Sequence, residues 1–449
     1  MIFSSYNPYT QQKLKDYQFS SKDETIESLL NAQHSFKEWK RISVQDRASQ
    51  LQKLGYLLLE NKQQAAQLIT NEIGKPISQS ISEIEKCATL CDYYYKNSDS
   101  FLATHPGPDS DSYIHYEPLG VILGIMPWNF PFWQVFRFVV PSLIAGNAVI
   151  IKHALNVPEC ALFIEDLFKQ VLSLPDVFQN IFLSNENTET LISNPIIKGV
   201  SLTGSTRAGR AVGAAAGKAI KPVILELGGS NAMLVFKDAD IDKAVKSCVQ
   251  GRFANNGQSC IAVKRLLIDE SIQNIFTEKL HSEISSFKIG NPNNVDTYIS
   301  SLAKPEFAQI LKSQIEDSVK LGAEVIVGGE YNGACFEPTL VTGVSKEMPL
   351  FKQEAFGPVL SITTFKTEQE AIDLANATEF GLGVSLFSKN IEKMKTLIPC
   401  FDDGAVFINS FVKSRPSLPF GGTKTSGIGR ELAEQGLKAF VNIKTVVIN

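Results

Sequence analysis

No stretch of this chain is apolar for long enough to cross a bilayer. The longest candidate, Val135 to Ala145, is interrupted by Arg137 and Pro141 and falls short of the roughly 20 residues a spanning helix needs. The start, Met1 to Pro8, has neither a basic cluster nor an apolar core, so no signal peptide is expected. Dense Lys/Arg runs are missing as well. With 43 basic and 47 acidic residues the formal net charge is −4, which argues against a surface that tracks a phosphate backbone. Cysteine is scarce: seven residues, an odd number without paired spacing, suit reduced thiols in a cytoplasm better than a disulfide framework. Cys87 and Cys91 could share a helix face, but without a histidine cluster they read as core residues and no metal site is expected. Internal repeats and low-complexity segments are also absent. These absences leave a cytoplasmic protein whose partner is a small molecule, with no nucleic acid and no membrane.

At 449 residues the chain can hold two or three domains. Its first hundred residues read as helical, with Ile26, Leu29, Leu30, Phe36 and Trp39 recurring near a 3.6-residue period, as do Leu51, Leu54, Leu57 and Leu58. From about residue 120, short apolar runs alternate with helical segments: Val121 to Met126, Ala148 to Ile151, Ile181 to Leu183, Gly199 to Leu202, Val223 to Leu225 and Ala232 to Phe236. A second α/β stretch carries strand candidates at Leu266 to Ile268, Val325 to Val327, Leu360 to Thr363 and Val384 to Phe387, with a helix at Gln369 to Ala377. Alternation of this kind predicts mostly parallel sheets covered on both faces. Ser112 to Tyr116 and the tail Ala439 to Ile448 fit neither unit. Apolar strands left unpaired would invite aggregation, so pairing within an oligomer is expected of them.

Three residue types in this chain could together work on a carbonyl: the thiol of Cys260, the carboxylate of Glu226 and the amide of Asn129. Cys260 follows Gly257-Gln258-Ser259 in a tight loop after the helical stretch from Ile241 to about Phe253, where a thiol can be exposed and activated. An isolated cysteine is otherwise usually a small core residue. Glu226 ends the strand Val223-Ile224-Leu225 ahead of Gly228-Gly229, a place from which a carboxylate can face a crevice; a turn carboxylate bonded to backbone amides is the competing reading. Thr203-Gly204-Ser205 precedes an Ala-rich helix whose free amides could receive a pyrophosphate, although it has only part of the usual three-glycine fingerprint. Lys152 ends a strand at the edge where ligands bind in such sheets.

The ordered set Pro127-Trp128-Asn129-Phe130-Pro131, Lys152, Thr203-Gly204-Ser205, Glu226-Leu227-Gly228-Gly229, Gly257-Gln258-Ser259-Cys260, Glu354-Ala355-Phe356-Gly357-Pro358 and Pro419-Phe420-Gly421-Gly422 closely resembles the aldehyde dehydrogenase superfamily over nearly the whole chain. Within it, Phe132 to Arg137, Lys413 to Pro416 and the short length resemble the bacterial succinate-semialdehyde dehydrogenase group. The resemblance implies an aldehyde dehydrogenase-like fold: two α/β domains, one binding cofactor (1–108 and 123–230) and one catalytic (231–425), with a small β oligomerisation domain (109–122 and 426–449). It implies a homodimer or homotetramer. It also implies roles. Cys260 attacks the aldehyde, Asn129 and the Cys260 amide hold the oxyanion, and Glu226 activates water against the thioester. Trp128, Lys152, Gly204, Ser205, Glu354 and Phe356 serve the cofactor, NAD or NADP, and Arg137, with Lys413 and Arg415 behind it, binds a carboxylate on the substrate. Many NAD-preferring relatives have Lys-Pro-x-Glu where this chain has Lys152-His153-Ala154-Leu155, so NADP is expected to be used as well as NAD. A CoA-acylating enzyme is disfavoured because such relatives typically lack the glutamate, and a non-catalytic structural homologue because the thiol, carboxylate and amide are all kept. Another aliphatic or semialdehyde substrate is the nearer alternative.

Overall fold

The computed structural model describes residues 2–448. It contains two mostly parallel sheets. One has six strands in the order Gly427–Ile428, Val223–Glu226, Ile197–Thr203, Val121–Met126, Ala148–His153 and Phe178–Asn180, with only the first antiparallel. The other has seven, in the order Glu324–Val327, Thr339–Thr342, Val359–Phe365, Val263–Asp269, Asn231–Val235, Val384–Phe387 and Val406–Ile408, again with one antiparallel edge strand. The central strands carry near-continuous Val/Ile/Leu runs because helices cover both faces; all six residues of Ala148–His153 are buried. Among the described residues no helix is long and apolar enough to cross a membrane.

The first hundred residues are not uniformly helical. Ile2–Tyr6 and Lys13–Gln18 form an antiparallel hairpin, whose turn is fixed by the Asn7 side chain accepting from the amides of Tyr9 and Thr10 at 3.0 Å each. The strand expected at Ile181 to Leu183 lies just upstream, at Phe178–Asn180, where pairing to Val149–Ile151 ends. Two strands, Thr339–Thr342 and Val406–Ile408, were not expected. The β-prone outliers pair with each other inside one chain: Val441–Val447 runs antiparallel to Ser112–Pro118, which also meets His105–Pro106. The expected segment boundaries shift accordingly. Val121 and Ile122 belong to the six-stranded sheet, and Gly427–Ile428 extends its edge beside Glu226.

Candidate active site

The loop that carries Cys260 is built by its own sequence. The helix Ile241–Phe253 ends, and Asn255, Asn256 and Gly257 follow with φ of 54°, 53° and 72°, the left-handed region that asparagine tolerates best among residues with a side chain. At Gly257 any side chain would collide, since a Cβ would stand 2.3 Å from the Gly357 carbonyl oxygen. The turn is then tied down. Asn256 bonds the Ser301 carbonyl (2.8 Å) and the Ser300 amide (2.7 Å), and Gln258 accepts from the Ala303 amide at 2.9 Å.

Opposite stands Asn129. Its Nδ2 donates to the Gln258 carbonyl at 3.0 Å, and Asn255 donates to the Asn129 carbonyl at 2.7 Å, so the amide and the thiol loop are mutually registered. A buried pair upstream fixes the Asn129 turn: Lys75 meets Glu83 at 2.6 Å, and the other Glu83 oxygen accepts from the amides of Phe132 and Trp133 at the start of the helix Trp133–Ile144. Neither Lys75 nor Glu83 stood out in the sequence.

Cys260 and Asn129 line a cavity of about 330 Å³ together with Gln134, Thr203, Glu354 and Phe356. Burial pushes the Cys260 thiol up to about 11, partly opposed by the charges of Lys264 and Arg137. Lys264 likewise did not stand out in the sequence. Wholly buried, it donates to the carbonyls of Cys260 (2.9 Å) and Gly229 (2.5 Å) and to Glu354 at 2.7 Å. The available signal was a pair of cations, Lys264-Arg265, set in an otherwise apolar strand. The glycine pair after Glu226 makes this cluster sterically feasible, because a Cβ on Gly228 would lie 2.6 Å from Glu354 Oε2 and one on Gly229 2.6 Å from the Cys260 carbonyl. Phe356 packs edge-on to Trp128 at 5.7 Å, and Trp128 stacks on Phe307 at 5.1 Å.

Glu226 sits behind the cavity, at the end of its strand. Both carboxyl oxygens are buried without a hydrogen-bond partner, and desolvation raises its pKa well above the usual carboxylate range against the opposing charge of Arg137. Gly421 leaves room for it, since a Cβ there would stand 2.7 Å from Oε1.

Arg137 is placed otherwise than expected. Its Nε is 2.5 Å from Glu431 Oε2, Nη2 donates to Thr203 Oγ1 at 3.0 Å, and the guanidinium faces the Phe420 ring. A buried arginine requires a counter-charge, and Glu431 supplies it from within the chain. The expected role of Arg137 toward a substrate carboxylate therefore competes with this internal ion pair. Lys413 and Arg415 are exposed, whereas Ser414 between them turns inward and is buried.

A second cleft of about 860 Å³ adjoins the first, the two sharing Trp128, Thr203 and Ser205 in their walls. Lys152 and Leu155 line it, and so does Arg207 in the first turn of the helix Thr206–Lys218. Ser205 caps that helix by accepting from the Ala208 amide. A Cβ on Gly204 would meet protein atoms only at 3.5 Å, so packing does not demand the glycine, which keeps the cleft floor open. Lys152 is nearly buried, and among the described residues its ammonium has one hydrogen-bond partner, the neutral Asn185 at 2.9 Å; desolvation lowers its pKa. An anion-binding floor beside a thiol cavity fits a dinucleotide lying across the edge of the six-stranded sheet.

Comparison with known proteins agrees with this geometry. The model of the aldehyde dehydrogenase family matches residues 1–446. A probable succinate-semialdehyde dehydrogenase [NADP(+)] of Synechocystis sp. is 41% identical over the full length of both chains. The succinate semialdehyde dehydrogenase [NAD(P)+] of Escherichia coli is 39% identical, covering 98% of this chain and 97% of that one. The crystal structure of succinic semialdehyde dehydrogenase from Streptococcus pyogenes in complex with NADP+ superposes with a TM-score of 0.97 at 33% identity, covering 99% of each chain.

Proposed function

The chain belongs to the aldehyde dehydrogenase family, and from that premise we propose that it oxidises succinate semialdehyde to succinate with NADP or NAD as the acceptor. The observation that carries the reading is the continuity between a cavity holding Cys260 and Asn129 and a cleft in which Lys152 meets no carboxylate. The named relatives support the substrate.

Once its proton has passed to solvent, Cys260 Sγ adds to the aldehyde carbon, giving a thiohemiacetal oxyanion held by Asn129 Nδ2 and the Cys260 amide. Bound in the two cavities, the nicotinamide supplies the acceptor for the hydride lost from that carbon. The product on Cys260 is a thioester. Glu226 then takes a proton from a water that attacks the thioester carbon, and the carboxylate product leaves as the thiol is restored. For this step Glu226 must lose the proton that burial favours and rotate toward the cavity, so hydrolysis should quicken as pH rises. Lys264 fixes the loop, Glu354 would hold the nicotinamide ribose, Phe356 and Trp128 would pack near the ring, and Ser205, Gly204 and Lys152 would serve the phosphates and adenosine ribose.

Two variants test the roles. Cys260→Ala should lose turnover by more than about a thousandfold while a fluorescence titration shows the reduced cofactor still bound. Glu226→Gln should give a stopped-flow burst of reduced cofactor followed by slow turnover. Loss of the burst itself would assign Glu226 to activating the thiol instead.

The division into cofactor, catalytic and oligomerisation segments belongs to the same proposal, as does a homodimer or homotetramer in the cytoplasm. Ile443 and Val447 are 61% and 57% exposed on a strand with one free edge, a surface suited to a second copy, and all seven cysteines are unpaired thiols. Light scattering on the purified protein checks the assembly.

A further inference from the structure

Lys86 lies on the long helix Ile77–Leu102. Its ammonium donates to Ser414 Oγ at 2.6 Å and stands 3.9 Å from the centroid of the Trp133 ring. Both partners are neutral, and among the described residues no carboxylate comes within ion-pair distance of it. The neighbouring cations differ: Lys75 has Glu83 and Arg137 has Glu431. Burial, reinforced by the charge of Arg137, lowers the Lys86 pKa to about 7. A partly buried ammonium with no carboxylate within ion-pair distance is unfavourable, and the Ser414 bond and the more distant charge of Glu83 offset only part of that cost.

Its surroundings adjoin one wall of the thiol cavity. Trp133 precedes Gln134, which lines the cavity with Cys260. The Arg137 charge acts on both Lys86 and Cys260, so the three share one neighbourhood. Ser414 is the inward residue of the loop whose flanking Lys413 and Arg415 face solvent. Because Glu431 neutralises Arg137, Lys86 is the cation in this region whose charge is left to a ligand.

We propose that Lys86, with the Ser414 hydroxyl, receives the distal carboxylate of an ω-carboxylate aldehyde, making it a specificity-determining residue. The inference rests on the succinate-semialdehyde reading above. With one N–H given to Ser414, two ammonium protons remain for the carboxylate, and the Trp133 face holds the charge in place. The serine hydroxyl can turn to donate its own hydrogen to the second carboxylate oxygen.

Lys86→Met keeps the length and the apolar stem while removing the charge. The measurement is kcat/KM for succinate semialdehyde and for butanal, with calorimetric Kd for succinate, on wild type, Lys86→Met and Lys86→Arg. The preference for succinate semialdehyde over butanal should fall by about tenfold or more in Lys86→Met, the scale of one lost charge-assisted hydrogen bond. The fall should appear mainly in KM, succinate binding should weaken with it, and Lys86→Arg should recover a large part of both. A preference left intact in Lys86→Met, or an equal loss on both aldehydes, overturns the inference while leaving the substrate reading standing. A wild type without any preference overturns the substrate reading and the role of Lys86 together.

Discussion

Lys264 behind the thiol loop and Lys152 in the adjoining cleft are both strand lysines taken out of water, yet the protein treats them in opposite ways. Lys264 has three acceptors of its own, the carbonyls of Gly229 and Cys260 and the carboxylate of Glu354. Lys152 has one neutral amide. In the first region charge is spent on geometry: it fixes the reacting thiol's backbone and the side chain beside it. In the second, charge is left open for something that arrives. A buried cation in this fold therefore declares its role by whether the chain supplies its counter-ion. By that test Arg137 and Lys75 group with Lys264, and Lys86 groups with Lys152.

The comparison breaks most directly through stability. Lys264→Met strands the Glu354 carboxylate and should cost about 3 kcal/mol of unfolding free energy, the lower end for breaking a buried pair because Glu354 keeps some contact with water. Lys152→Met removes a buried uncompensated charge and should leave the free protein at least as stable as wild type, while NADP affinity falls about tenfold or more. Urea unfolding of both variants, with and without NADP, makes the measurement. Equal losses for the two lysines in the free protein would erase the distinction.

Arg137 sharpens the same line. As the partner of Glu431 it should behave structurally, so Arg137→Ala is expected to lose about 3 kcal/mol of stability and to depress succinate semialdehyde and butanal turnover alike. A loss confined to succinate semialdehyde, with stability kept, would move Arg137 into the ligand-facing class and give it the role that the resemblance implied.

What the sequence disclosed follows the same division. Central strands such as Ala148–His153, Asn231–Val235 and Val384–Phe387 announced themselves because burial on both faces demands unbroken apolar runs. The hairpin of residues 2–18 did not, since Lys13–Gln18 is almost wholly exposed and polar and its pairing is set by an asparagine turn. In the site, many of the residues that line the two cavities lie in glycine- and proline-marked loops and could be named in advance. The residues that hold them could not: Lys264 and Glu83 look like surface charges until the fold buries them. The glycine pair after Glu226 looked like a turn, and its steric reason emerged only with Glu354 and the Cys260 carbonyl packed against it.

The smallest expected effect lies in the cleft, at Leu155. This side chain lines the cleft along with Lys152 and Arg207, so it offers the adenosine ribose neither a hydrogen-bond acceptor for a 2′-hydroxyl nor a negative charge against a 2′-phosphate. Leu155→Glu would supply both. A carboxylate there would also give Lys152 a counter-ion, turning the open cation into a satisfied one. Use of NADP should therefore fall by about tenfold in kcat/KM, and use of NAD should hold or improve, since a hydrogen bond to a charged group contributes about 1.5–3 kcal/mol. The Lys152 double variant separates the two causes: if Leu155→Glu acts by neutralising Lys152, then in a Lys152→Met background it should depress NADP use much less. An undiminished effect in that background would mean that repulsion of the 2′-phosphate alone accounts for the discrimination, and that the open charge of Lys152 serves the rest of the dinucleotide.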